Sequence, residues 1–589
     1  MYRAPIRELR FVLDELLGAG ALSAYPALAE YSSETAESIL GEAARFAEEV
    51  LEPLNQSGDR EGARWTPEGV VTPPGFAAAY RQFVEAGWPQ LGADSKYGGQ
   101  SVPQVLATAV REVWGAANLS FKLCPMLTQG AIEAIDLCGS ATQKKLFLPK
   151  MVRGEWTGTM DLTEPQAGSD LGQIRMRAVP DGENFRLFGQ KIFITWGDHD
   201  CSENIIHMVL ARIEGAPPGV KGVSLFIVPK ILVNADGTLG ERNELRCVSI
   251  ERKLGIHASP TCMLAFGDVR GALGYLIGTA NRGLEYMFVM MNAARLAVGV
   301  EGYAVAERAF QRAAEWARNR VQGKPPAGGS GAIVGHPDVK RMLLTMKSCI
   351  QAMRALALYA AFELDIAEND PDGERCLHAQ ARVNLLIPIV KGWCTELGNE
   401  LAGTGMQVHG GMGFIEETGA AQYVRDLRIT TIYEGTTGIQ ANDLIGRKLG
   451  RDRGAAMDAL ILEMHTELDA LEGSDAVMRI IKHSAAEAVG RLREATEAIL
   501  EAFSAGQERA FAVAVPYLNL CGYVIGGWLL AKSAALAVRH HAGPEREFYA
   551  AKLATARFYA QQVLPRSLAL ARIVQSGAPS VTESDAALI

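Results

Sequence analysis

The period of hydrophobic and polar positions changes three times along the chain. Between 34 and 157 apolar residues recur at helical spacing, as in ETAESILGEAARFAEEVLEPLN, and Pro- and Gly-rich turns at 65–75 and 87–99 divide the run into separate helices. Around 158 the apolar runs shorten and fill with Ile, Val, Phe and Thr: FRLFGQKIFIT (185–195), NIIHMVLARI (204–213) and GVSLFIVP (222–229). Turn signals at Asp181-Gly182, Pro217-Pro218-Gly219 and Asp236-Gly237 punctuate them, which predicts a compact β domain. No helical segment separates the runs, so the expected sheet is antiparallel, a barrel or sandwich and not a doubly wound one. At Gly283 the helical period returns, with Leu284, Met287, Phe288, Met291, Ala294 and Val298 on one face as far as Arg320. A Pro/Gly linker, GKPPAGGSG (323–331), precedes expected helices at about 338–368 and 376–402, and an Ala-rich helical region runs from 450 to the end.

This pattern predicts an α+β multidomain protein. Its parts are an N-terminal extension (1–33), an N-terminal α domain (34–157), a middle β barrel or sandwich (158–275), an α bundle (276–450) and an additional helical domain (451–589). The 589 residues suit about four domains by length, and 48% hydrophobic with 21% charged residues excludes wholesale disorder. Lys and Arg number 58 against 67 Asp and Glu, a net charge of −9, which argues against a dedicated nucleic-acid binder. The nine cysteines form no C-x-x-C, so we expect reduced thiols in the cytoplasm, with neither disulfides nor zinc, and the ten histidines show no metal-ligand spacing. MYRAPIRELRFVLDELL mixes charges through its apolar positions, unlike a signal peptide. The uncharged stretch 511–531, FAVAVPYLNLCGYVIGGWLLA, is long enough to cross a bilayer, but Pro516, Asn519 and its glycines favour a buried helix or subunit contact, so no membrane span is expected.

Four strings bear on chemistry. Gly329-Ser-Gly331-Ala-Ile-Val-Gly335 imitates a dinucleotide turn, but KPPAG precedes it where a strand is required, so it is a linker. LTEPQAGSD (162–170) has small residues that admit an anion or a flat ring against backbone N–H groups; the plain alternative is an acidic turn. QVHGGMGF (407–414) is either a helix C-terminus or a glycine cluster open to a pyrophosphate. In DLRITTIYEGTTGIQANDLIG (426–446), Glu434 follows an apolar, β-branched run. A carboxylate there is partly desolvated, which raises its pKa and suits proton abstraction; the alternative is a Glu capping the next helix.

In this order and at these separations the last three strings resemble the acyl-CoA dehydrogenase family, over about residues 40–450. The opening YRAPIRELRFVLDEL and the helical extension after 450 resemble its long subgroup. The resemblance implies FAD-dependent α,β-dehydrogenation of an acyl-CoA thioester, with short- and medium-chain and thioether acyl groups as candidates. It makes Glu434 the base that takes the α-proton, while the β-hydride passes to flavin N5. It assigns cofactor contacts to Met160, Leu162, Thr163, Gly168, Ser169, Phe193, Thr195 and Thr436, and contacts to the neighbouring subunit's FAD to Arg320, Gln407 and Gly411. Ser169, Arg295 and Gly435 fall on the substrate side, and no metal is implied. Shared FAD contacts imply a homodimer, and the family's usual electron acceptor is an electron-transferring flavoprotein. Asp161 stands where a small residue is usual, Gln422 where a basic one is, and Gly438 where a glutamine often touches flavin. Two other readings remain at this point: an acyl-CoA oxidase, and a flavin- or CoA-binding scaffold without turnover.

Overall fold

A computed structural model describes residues 2–329, 331–471, 475–540, 542–585 and 587; Ser330 of the expected linker lies outside the described residues. The chain divides into two compact units, Arg45–Val102 with Ala117–Ala294, and Met1–Ala44 with Pro103–Ala116 and Arg295–Ile589.

The first of these carries the β domain. A small hairpin, β1 (Arg64–Thr66) and β2 (Gly69–Val71), interrupts the helical run where only a turn was expected. The main strands are β3 (Trp156–Asp161), β4 (Arg177–Asp181), β5 (Asn184–Thr195), β6 (Asn204–Ile213), β7 (Val223–Pro229), β10 (Leu245–Ile250), β11 (Thr261–Phe266) and β12 (Ala272–Leu276); β8 (Ile231–Val233) and β9 (Leu239–Arg242) form a separate pair. The sheet runs β10-β11-β5-β12-β7-β6-β3, and β4 bonds both β5 and β6, closing β5, β12, β7, β6 and β4 into a ring.

Most neighbouring strands of this sheet are antiparallel, as expected, but two pairings are not. β3 pairs with β6 in parallel, from Trp156 opposite Asn204 to Asp161 opposite Val209, and the end of β4 also runs parallel to β6. Parallel neighbours need a long crossover, usually a helix. Here the β4–β5 hairpin makes the crossover, so no helical period announces it. β6 is covered on both faces: its first eight residues, Asn204 to Ala211, are all buried.

In the other unit three long helices form the bundle: α1 (Gly283–Asn319, of which Arg295 onward belongs here), α2 (Pro337–Asn369) and α3 (Gly373–Val408). α3 outlasts its expected end because apolar positions continue inward through Leu401, Ala402 and Val408. α1 and α3 cross in backbone contact, since a Cβ on Gly398 would meet the Gly302 carbonyl oxygen at 2.2 Å. A short helix, α4 (Thr437–Asp443), follows the candidate base.

The apolar stretch 511–531 falls mainly in α5 (Ala514–Arg539), whose most apolar window is 83% buried, as a core helix requires. Its glycines have a packing reason. A Cβ on Gly522 would meet the Trp393 indole at 2.2 Å, and Leu518 packs on Gly392, so α5 lies against α3. The N-terminal segment is bound to the same extension: Arg7 Nε meets Glu545 Oε1 at 2.7 Å, its guanidinium lies 4.0 Å from the Phe548 ring centre, and Lys552 pairs with Glu8.

Gly398→Ala should cost about 2–3 kcal/mol in a denaturant titration, because neither backbone can move aside. Gly403→Ala on the same helix, where an added methyl meets nothing within 4 Å, should leave the midpoint unchanged or raise it.

Candidate functional site

The segment that carries Glu434 is fixed on every side. Arg428–Thr431 form one 3₁₀ turn with Thr430 and Thr431 buried, after which the backbone turns left-handed at both Glu434 (φ 55°) and Gly435 (φ 92°). For a glutamate this conformation costs about 1–2 kcal/mol, so its neighbours must hold it. The Tyr433 hydroxyl donates to Glu301 on α1, and the Thr437 hydroxyl donates to Glu396 on α3 at 2.6 Å. Lys391 Nζ donates to the Gly435 carbonyl at 2.7 Å, and Gln440 Nε2 donates to the Glu434 and Gly435 carbonyls at 3.1 and 3.3 Å. Helix α4 is capped by Thr436, whose hydroxyl accepts the Ile439 N–H. The helix-cap alternative for Glu434 is thereby removed.

Among the described residues the Glu434 carboxylate makes no hydrogen bond or ion pair, and its backbone N–H donates to nothing. Burial pushes the carboxyl up to about 7; Arg295 and Lys391 pull it down, and Glu301 pushes it up. Arg295 is 4% exposed and bonded through Nη1 to Asp443 Oδ2 at 3.2 Å. Lys391 is fully buried, and desolvation lowers its ammonium to about 8 against the raising effect of Glu434. Sequence reasoning singled out Glu434, Gly435, Thr436 and Arg295, which the structure brings together, but missed Lys391 and Gln440. The available signal was a lone lysine inside the apolar helical run LLIPIVKGW.

In the β unit, Met160 is half-buried, whereas the other residues of β3, Trp156 to Thr159 and Asp161, are buried. Leu162 and Thr163 follow, half-buried, and lead into a turn closed by the Glu164–Ala167 bridge. Glu164 is the post of that turn. Its carboxylate accepts the N–H groups of Arg175 (2.7 Å) and Met176 (3.1 Å) and pairs with Lys191 Nζ at 2.9 Å, which also donates to the Leu162 carbonyl. These contacts, and the adjacent cation above all, outweigh desolvation and hold Glu164 below the usual carboxylate range.

Beyond it Gly168 and Ser169 are exposed; a Cβ on Gly168 would meet nothing, and neither their N–H groups nor the Ser169 hydroxyl has a partner among the described residues. Phe193 is 59% exposed at φ 60°, an aromatic residue kept out of the core by a strained backbone, and Thr195 lies at the end of the same strand. Free N–H groups, a free hydroxyl and an exposed ring on one unit fit a flavin nucleotide. Asp161, unusual at its position, is fully buried beside His207 (3.3 Å), and the Thr159 hydroxyl donates to Asp161 at 2.7 Å.

The remaining expected contacts lie on the helical unit. Arg320 is exposed just past α1, Gln407 lies in the last turn of α3, and Gly411 falls in the 3₁₀ turn Gly410–Phe414. Gln407 lines a cavity of about 320 Å³ with Arg341, Glu400 and Arg566. In the segment that follows α3, Met412, Phe414 and Ile415 are 44%, 81% and 44% exposed.

This chain belongs to the acyl-CoA dehydrogenase family. Family profiles match in sequence along it: the acyl-CoA dehydrogenase N-terminal domain at 33–155, the middle domain at 159–269, the C-terminal domain at 281–449, and an "acetyl-CoA dehydrogenase C-terminal like" region at 460–585. The chain is similar to the 3-methylmercaptopropionyl-CoA dehydrogenase of Ruegeria pomeroyi, 46% identical across 99% of this chain and 100% of that one. It is 34% identical, over 100% and 99%, to a broad-specificity linear acyl-CoA dehydrogenase of Mycobacterium tuberculosis. Its fold matches that of an acyl-CoA dehydrogenase from Bacillus anthracis solved with FAD, at a TM-score of 0.75 and 20% identity over 96% and 91% of the two chains.

A carboxyl whose pKa is raised on folding loses stability when it ionises, and the loss grows as pH rises from the unfolded value near 4.5 to about 7. Glu434→Gln removes that cost. Its thermal midpoint should exceed wild type at pH 8, and the gap should close as the pH is lowered below about 4.5.

Proposed function

We propose that the protein is an FAD-dependent dehydrogenase that converts an acyl-CoA thioester to its α,β-unsaturated product, with Glu434 as the base. The observation that carries this is Glu434 itself: a strained, firmly held glutamate with a free carboxylate, raised to about 7. A proton alpha to a thioester is weakly acidic, so it must be taken while the carbonyl oxygen is hydrogen-bonded and its developing negative charge is stabilised. The Glu434 N–H has no partner among the described residues and is the donor for that oxygen. The carboxylate takes the α-proton and becomes the acid, the β C–H bond gives up a hydride, and the double bond forms between the two carbons. FAD, when bound, supplies the hydride acceptor at N5.

Met160, Leu162, Thr163, Gly168, Ser169, Phe193, Thr195 and Thr436 would hold the flavin, with Arg320, Gln407 and Gly411 reaching the FAD of a second subunit. Ser169, Arg295 and Gly435 would lie on the substrate side. Full-length similarity to the Ruegeria protein supports 3-methylmercaptopropionyl-CoA as the substrate, with other short- and medium-chain acyl-CoAs as neighbours in a screen. We place the enzyme in the cytoplasm, passing electrons to an electron-transferring flavoprotein, and as a homodimer. The exposed apolar side chains of Met412, Phe414 and Ile415, a few positions after Gln407 in sequence, support the dimer.

Glu434→Gln should keep its yellow FAD complex while acyl-CoA no longer bleaches it; bleaching at the normal rate would move the base elsewhere. In the wild type kcat/KM should rise with pH to a midpoint near 7, as the carboxyl ionises. The mass in solution should be twice 63.4 kDa, and a monomer that binds FAD tightly would remove the shared-site assignment.

A further inference from the structure

Lys391 sits in α3, 44 positions before Gly435 in sequence, with no exposed surface. A buried ammonium is costly unless a carboxylate neutralises it directly, yet among the described residues Lys391 forms no direct ion pair. Its donated hydrogen bond goes to a backbone carbonyl, that of Gly435, at 2.7 Å. The charges around it are Glu434 on the base segment, Glu301 and Arg295 on α1, and Glu396 on its own helix. Arg295 is already bonded to Asp443, and Glu396 to Thr437, so Lys391 is the cation whose hydrogen bond falls on the base segment itself.

Gln440 acts on the Gly435 carbonyl too, and on that of Glu434, from the opposite direction in sequence. Its Nε2 reaches both the Glu434 and Gly435 carbonyls from α4, and a Cβ on Gly435 would come within 2.8 Å of it. Two left-handed residues in succession thus have both carbonyls captured, while the Glu434 N–H is left without a partner among the described residues. A charge-assisted bond of this length is about twice as strong as a neutral one, enough to offset the strain of a left-handed glutamate.

We propose that Lys391 and Gln440 are positioning residues of the dehydrogenation: together they clamp the two carbonyls that keep Glu434 in its left-handed conformation, and the Lys391 ammonium is in addition a buried counter-charge to the working carboxylate. The proposal rests on Glu434 being the base. It separates the two residues, because Gln440 holds geometry alone whereas Lys391 holds geometry and charge. Desolvation lowers the Lys391 ammonium while the Glu434 charge opposes that lowering, so each group favours the charged form of the other.

The test is anaerobic flavin bleaching by purified holoenzymes across pH, using whichever of a panel of acyl-CoAs reduces wild type fastest. Lys391→Met should retain FAD, bind acyl-CoA within about threefold of wild type, and lose roughly 30-fold in limiting rate. Its pH midpoint should move up by about one unit, since a cation that favoured the carboxylate is gone. Lys391→Arg should restore the midpoint. Gln440→Met should slow bleaching about tenfold and leave the midpoint in place. A Lys391→Met enzyme within threefold of the wild-type rate with an unmoved midpoint overturns the proposal. If that variant does not fold or hold FAD, a wild-type rate in Gln440→Met overturns it instead. Glu434→Gln measured alongside distinguishes the failures: bleaching there refutes the base, whereas its loss with normal Lys391→Met refutes only the clamp.

Discussion

A glutamate in the left-handed region of backbone space does not stay there unaided, and the candidate chemistry depends on what holds Glu434 in it. Three helices do so. Tyr433 is tied to α1, Thr437 and Gly435 to α3, and both carbonyls of the pair to α4. The carbonyls are used up inside the protein, which leaves the Glu434 carboxylate and the Glu434 and Gly435 N–H groups, without partners among the described residues, available to a ligand. The proton acceptor and the oxyanion donor share one residue whose backbone is held, which supplies part of the pre-organisation that abstraction beside a thioester needs.

The clamp is only as rigid as α3, and α3 is braced on two further faces. Gly302 and Gly398 let α1 and α3 touch backbone to backbone, and Gly392 and Trp393, next in sequence to Lys391, are covered by Leu518 and Gly522 of α5. The helical extension therefore packs on the stretch of helix that donates Lys391. The N-terminal segment, through Arg7 and Glu8, is in turn bound to that extension. Both features that distinguish this chain's two ends serve one helical unit.

What could be read from the sequence was local chemistry and period. LTEPQAGSD, QVHGGMGF and IYEGT are continuous strings, so their residue types and order were visible, as were the turns and apolar runs of the β domain. The parallel pairing of β3 with β6 was not, because a hairpin makes the crossover and leaves no helical period behind. Lys391 and Glu164 were invisible as functional supports for a related reason. Their partners are distant backbone groups and a buried lysine, and a solitary charge in an apolar run does not reveal what it will meet. The α5 helix was legible as buried, but its glycines acquired a reason only when Trp393 was found seated against Gly522.

The central claim is that Glu434 removes the α-proton. It is tested most directly with an acyl-CoA carrying sulfur in place of its β-carbon, so that no hydride can leave, incubated with holoenzyme in deuterated water. Wild type should exchange the α-hydrogens for deuterium, as read by mass spectrometry, while Glu434→Gln with full FAD content should leave them untouched. Exchange by Glu434→Gln at the wild-type rate would contradict it.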